Sequence, residues 1–263
     1  MSFLGQASWL VRTLISGCLL AIALTVLPAY ADAPYMNSHG KRIPSFEYPY
    51  YISPERTEAE TYLNEGLEKA YQGDREGAIA GLTQAIATDS TYEMAYRYLG
   101  DIYRETDQLS LALDAYSHAL EYNPFFARLY NSRGEVLMTL GQYEEAIADF
   151  SKAMEVYPED PVGYYNRGKA YADLKNYPQA IFDLRDAIRI SDIYVDAYVG
   201  RGEVRQAVDN LQGAIADYRT AAELLKEEAD SQADQGDTTQ SQQLLQQYQA
   251  LADKAEALAA NLS

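Results

Sequence analysis

The sequence has one cysteine, two histidines and one tryptophan in 263 residues. Cys18 falls in an N-terminal stretch that reads as an export signal, so removing that signal leaves a chain without thiols and without disulfides. His39 and His118 show neither an HExxH motif nor a paired spacing, which argues against a histidine metal site. Phosphate-binding glycine clusters are missing, and so is any G-x-S-x-G. With no nucleophile–base constellation to assemble, neither catalysis nor a cofactor is expected. Basic residues are scarce: 21 Lys and Arg stand against 39 Asp and Glu, a net charge of −18. Repulsion by phosphate then argues against nucleic acid and anionic lipid as partners. A cationic partner suits the balance, but the same charge also keeps an extended helical protein soluble.

Residues 1–31 have the three parts of a secretion signal. Arg12 supplies the positive charge, Leu14 to Leu27 the apolar run, and Ala29-Tyr30-Ala31 the small residues of a cleavage site after Ala31. The run is short for a membrane span, so no stable insertion is expected once the signal is removed. Ile15-Ser16-Gly17-Cys18 also resembles a lipoprotein box, but most of the apolar residues follow the cysteine instead of preceding it. The expected location is across the inner membrane, in the periplasm, or in the thylakoid lumen of a photosynthetic bacterium. Residues 32–57 follow with Pro34, Pro44, Pro49 and Pro54, and with Tyr35, Phe46, Tyr48, Tyr50 and Tyr51. This Pro/Tyr-rich extended segment reads either as a tether or as a strap, with Phe46 to Tyr51 capping the first repeat or occupying its groove.

Beyond residue 58 the sequence repeats itself. Gly66, Gly100, Gly134, Gly168 and Gly202 are spaced by 34. Four residues before each stands a tyrosine (Tyr62, Tyr96, Tyr130, Tyr164, Tyr198), and twelve after each an alanine (Ala78, Ala112, Ala146, Ala180, Ala214). Sixteen after come Leu82, Tyr116, Phe150, Leu184 and Tyr218, and nineteen after come Ala85, Ala119, Ala153, Ala187 and Ala221. Helical spacing puts Ala146, Ile147, Phe150 and Ala153 on one face. Helix breaks are expected at Gly141-Gln142 and Lys175-Asn176, and Asp160-Pro161 reads as an N-cap with proline in the first turn. One hairpin cannot bury its apolar face alone, so stacked neighbours must share a core.

The pattern over residues 59–228 resembles the tetratricopeptide repeat family. The resemblance implies an all-α fold: a right-handed α-solenoid of five helix–turn–helix repeats at 59–92, 93–126, 127–160, 161–194 and 195–228. Pro124 and Pro158 match the family's proline near repeat position 32. Ser90, Asp192 and Lys226 replace it, and looser turns are expected there. Leu99 fits the apolar position 7, which Arg133, Arg167 and Arg201 replace in a recurring Arg-Gly pair. Gly236-Asp237 reads as a stop and a new N-cap. In the last helix, 238–262, Leu244, Tyr248, Leu251, Ala255, Leu258 and Leu262 form one stripe, which suits a capping helix on a monomer better than a short coiled-coil seam.

The resemblance also implies a function. In the family the first helix of each repeat lines a concave face that receives a protein or peptide segment. Carried over, repeat 2 offers Arg97, Asp101 and Arg104; repeat 3 offers Arg128, Asn131 and Glu135; repeat 4 offers Tyr165, Asn166, Lys169 and Asp173; repeat 5 offers Asp196, Glu203 and Gln206. Leu63 and Leu67 stand where the chaperone-clamp subfamily needs Lys and Asn, so that specificity is not expected. The implied role is a non-catalytic interaction scaffold, an adaptor or assembly factor outside the cytoplasm. The alternative from composition is an acidic, low-affinity carrier of divalent metal.

Overall fold

The computed structural model describes residues 53–260, and the signal-like stretch, most of the Pro/Tyr-rich segment and Leu262 lie outside them. The described residues form eleven helices and no strand. They pair as α1 (Pro54–Tyr71) with α2 (Arg75–Thr88), α3 (Glu93–Glu105) with α4 (Leu109–Tyr122), and α5 (Ala127–Thr139) with α6 (Tyr143–Val156). Then α7 (Pro161–Asp173) pairs with α8 (Tyr177–Ile190), α9 (Val195–Ala207) with α10 (Leu211–Asp234), and α11 (Thr238–Ala260) lies on α10. From α3 to α9 the first helices begin every 34 residues, and from α2 to α10 so do the second helices. Each hairpin also packs on the next. Successive first helices touch, α5 with α7 and α7 with α9, which places them on the inner side of the curve.

The recurring residues explain the packing. The position-20 alanines, Ala78 to Ala214, are fully buried, and the position-24 side chains Leu82, Tyr116, Phe150, Leu184 and Tyr218 are buried beneath them. Each of those rings or branches lies against the glycine of its own hairpin. A Cβ on Gly134 would stand 2.5 Å from Phe150 Cε1, and one on Gly100 2.7 Å from Tyr116 Cδ1. The glycines are therefore there to let a large buried side chain meet the backbone of the facing helix.

The turn within every hairpin is built the same way. Gly73, Asp107, Gly141, Lys175 and Asp209 all have left-handed backbone, with φ between 59° and 81°. In each, the next residue's N–H reaches back to the last turn of the first helix, as from Gln142 to the Leu137 carbonyl at 2.9 Å and from Asn176 to the Tyr171 carbonyl at 2.8 Å. This is the Schellman arrangement, which satisfies the carbonyls that end a helix. The breaks expected at Gly141-Gln142 and Lys175-Asn176 fall here. Asp160 caps α7 by accepting from the Val162 N–H at 3.0 Å, with Pro161 as its first residue.

The turns lacking proline differ from expectation in two ways. At Ser90 and Asp192 the connection is as short as at Pro124 and Pro158, because helix ends keep their 34-residue spacing. At Ser90 a local bond holds it: Asp89 Oδ1 accepts from the Thr91 N–H at 2.9 Å and from its hydroxyl at 2.7 Å. At Lys226 there is no turn, and α10 runs on to Asp234 before Gly236 (φ 87°) ends it. Asp237 then caps α11 by accepting from the Gln240 N–H at 2.9 Å. Ala255, Leu251 and Leu258 of α11 cover Ala214, Ile215 and Tyr218, and glutamines are frequent on its exposed face.

Candidate functional site

The candidate residues fall on α3, α5, α7 and α9, the inner helices, but the structure gives them unequal parts. Asp101 accepts from the buried Tyr116 hydroxyl at 2.7 Å, which ties it to its own hairpin. Arg104 Nη1 donates to Glu135 Oε2 at 2.7 Å, joining repeats 2 and 3. Glu135 Oε1 accepts from Asn166 Nδ2 at 3.4 Å, joining repeats 3 and 4. Arg104, Glu135 and Asn166 are thus one polar chain across three repeats. Because Asn166 is buried, it is less an open anchor than a strut for Glu135.

Arg97 lies with its guanidinium 3.9 Å from the Tyr98 ring and 5.8 Å from the Phe126 ring. Its Nε is buried and unpartnered, and no carboxylate of the described residues pairs with it. Arg128 is exposed and likewise has no ion pair among the described residues. Asn131, 4% exposed, keeps an Oδ1 without a hydrogen-bond partner. In repeat 4, Lys169 is exposed, with Nζ 5.4 Å from the Tyr165 ring, and Asp173 is exposed. Tyr165 meets Tyr194 edge-on at 5.3 Å between centroids. Burial first, and then the carboxylates of Asp196 and Glu203, push the Tyr165 hydroxyl up to about 12. Glu203 pairs at 3.5 Å with Lys254 of the capping helix α11, so that helix closes the far end of the row.

Several of these residues meet in one cleft of about 790 Å³. Asn131, Ser132 and Glu135 of α5 form its floor. Its walls are the two turns that enter α5 and α7 with the first residues of those helices, Phe125, Phe126 and Arg128 on one side and Tyr157, Asp160 and Val162 on the other. Phe125 and Tyr157 are 73% and 56% exposed, apolar surface that these loops hold out beside the cleft. Sequence reading missed both rims, although each aromatic adjoins a proline, Pro124 or Pro158, in the turn between hairpins.

Sequence reading also left the recurring arginines without partners. Arg133 grips Asp149, Arg167 grips Asp183 and Arg201 grips Asp217, each through two hydrogen bonds of 2.7–3.1 Å. The three acids are buried. These pairs lie between the two helices of one hairpin and belong to the scaffold, not to the groove. Among the described residues no group of three or more His, Cys, Asp or Glu side chains gathers as metal ligands would. No described helix is long and apolar enough to cross a membrane.

Residues 100–141 and 134–175 match the family described as TPR repeat, and residues 162–194 match Tetratricopeptide repeat. Residues 100–194 thus carry tetratricopeptide repeats. Repeats of this family are of the non-catalytic, protein-interaction scaffold type, and helices paired in the same way continue on both sides of residues 100–194. No curated protein matches the sequence. Solved structures do. MamA 41-end from Desulfovibrio magneticus RS-1 is 18% identical with a TM-score of 0.60, over 66% of this chain and 97% of its own. PilW, described as a type IV pilus biogenesis factor, is 20% identical with a TM-score of 0.56, over 78% and 98%. YrrB, described as a TPR protein with an unusual peptide-binding site, is 19% identical with a TM-score of 0.54, over 73% and 97%. At such identity the likeness is one of fold.

Proposed function

We propose that this tetratricopeptide protein acts outside the cytoplasm as an adaptor or assembly factor, capturing a segment of a partner protein across repeats 2 to 4. The observation that carries this reading is the cleft floored by α5, where Arg128, the unpartnered Asn131 Oδ1 and the exposed Phe125 and Tyr157 converge. Exposed aromatic rings beside a charge without an ion pair are surface that a partner segment can cover. The location rests on the signal-like residues 1–31, and the periplasm, or a thylakoid lumen, follows from them. PilW's description as a biogenesis factor and YrrB's as a peptide binder agree with this role. The alternative of a divalent-metal carrier gains no donor set from the described residues. Fractionation of cells expressing the full chain tests the location, and capture from the exported fraction tests the site. Charge reversal at Arg97 and Arg128 should weaken capture; unchanged capture contradicts the assignment.

A further inference from the structure

The groove residues sort by whether their charges are already neutralised. Arg104 is held by Glu135, Glu203 by Lys254, and Asp160 is engaged in capping α7. Among the charged groups lining the cleft, the Arg128 guanidinium has neither an ion pair nor a hydrogen bond with the described residues, whereas Asp160 has its hydrogen bond from Val162 but no cation. Immediately beside it, Phe126 forms part of the wall, and its other neighbour is Arg97, also without a carboxylate. Two guanidinium groups without a carboxylate are therefore present, Arg128 in the cleft lining and Arg97 with its guanidinium 5.8 Å from the Phe126 ring of that lining, in a chain whose net charge is −18. Carboxylates are abundant on this surface, yet none pairs with either group among the described residues. The rims supply the second half of a recognition code, since Phe125 and Tyr157 present apolar rings to anything entering.

From this juxtaposition we infer that the cleft takes an acidic segment of a partner protein, with Asp or Glu side chains set beside an aromatic or aliphatic residue. This deepens the proposed function and rests on it. Each carboxylate would accept from Arg128 or Arg97, and planar guanidinium and carboxylate groups match in two hydrogen bonds at once. The apolar residue would sit between Phe125 and Tyr157, where it shields those charged bonds from water. The segment's backbone would be read by the Asn131 amide, whose two ends differ by a half-turn about χ2.

The test is selection from a phage-displayed library of random segments of about twelve residues, about 40 Å when extended. The segments are fused through their C-termini, so no terminal carboxylate is offered. The wild-type full chain should enrich segments in which Asp or Glu adjoins Phe, Tyr, Trp or Leu. Their affinity should fall at least about tenfold in Arg128→Glu and in Phe125→Ala, and should weaken with added salt. Phe125 and Arg128 are exposed, so unchanged helicity is expected of both variants. Enriched neutral or basic segments that depend on Asn166 or Asp173 would overturn the acidic code and leave groove capture standing. Enrichment of no segment that any of these variants weakens would overturn both.

Discussion

Arg167 donates from Nε to Asp183 Oδ2 at 2.7 Å and from Nη2 to Asp183 Oδ1 at 2.9 Å, across the two helices of one hairpin. Its Nη1 also reaches Ser151 Oγ of the preceding repeat at 3.0 Å, so one side chain pins two repeats. Arg133 repeats the arrangement with Asp149 and Ser117. Bonding to Asp183 outweighs burial and holds the Arg167 guanidinium above its usual range. Repeat 2 has the apolar solution instead, with Leu99 and Ala115 at the two positions. The chain thus contains both answers to one packing problem.

That internal comparison makes a prediction. Asp183→Ala leaves a half-buried guanidinium unpaired and should cost about 2–3 kcal/mol. Adding Arg167→Leu, which recreates the repeat-2 pair, should recover most of the loss. Urea unfolding midpoints of the two variants check it; a double variant no better than the single one would show that the pair is not the source.

Gly134→Ala sets an alanine's gain in helix propensity, about 1 kcal/mol, against a Cβ placed 2.5 Å from the buried Phe150 ring. Overpacking of this kind costs about 1–3 kcal/mol, which leaves a net loss of up to about 2 kcal/mol, so the variant should melt lower. Thermal scans monitored by helicity give the answer, and an unchanged or raised midpoint would remove the close-approach explanation for the recurring glycine.

Lys175 occupies the left-handed turn position that Gly73 and Gly141 fill elsewhere, with φ 59°. A long side chain is disfavoured there, and Lys175→Gly should stabilise the chain by about 0.5–1 kcal/mol. Unfolding midpoints should rise for this variant and fall for Gly141→Lys.

Stability should also depend on pH at the alkaline end. The Tyr165 hydroxyl, pushed up to about 12 by burial and then by Asp196 and Glu203, is protonated in the fold well past its ordinary value near 10.0. The fold therefore favours the neutral form: that contribution is complete below pH 10 and is lost as pH rises from about 10 to about 12. Tyr165→Phe should flatten the fall in that window. At the acid end, burial raises the Asp89 carboxyl, but hydrogen bonds from Thr91 and Arg56 more than offset it and leave it below the ordinary range. Stability from Asp89 is present at neutral pH and lost as pH falls through its depressed value, and Asp89→Asn should show less of that acid loss.

The repeat was legible because its residues are fixed by contact. A glycine that must admit a ring, an alanine between crossing helices and a ring filling the gap each leave one mark per 34 residues. The groove was legible only as a set of positions. Which side chains were free depended on partners supplied by neighbouring repeats, such as Glu135 for Arg104 and Lys254 for Glu203. The buried Arg–Asp pairs had a signal that went unread: Asp149, Asp183 and Asp217 recur sixteen residues after each repeated arginine. Burial of Asn131 and Asn166 had none, since it depends on how closely successive first helices approach.

The account stands on the inner face being the one that meets a partner. A photo-crosslinking residue placed in turn at Arg128, Lys169 and Asp173, and as controls at the exposed Glu145 and Arg219 of α6 and α10, tests this in the chain's own compartment. The account predicts one shared crosslinked partner from the three inner positions and none from the two controls. Crosslinks from Glu145 or Arg219 with silence at Arg128 would place recognition on the outer helices and contradict it.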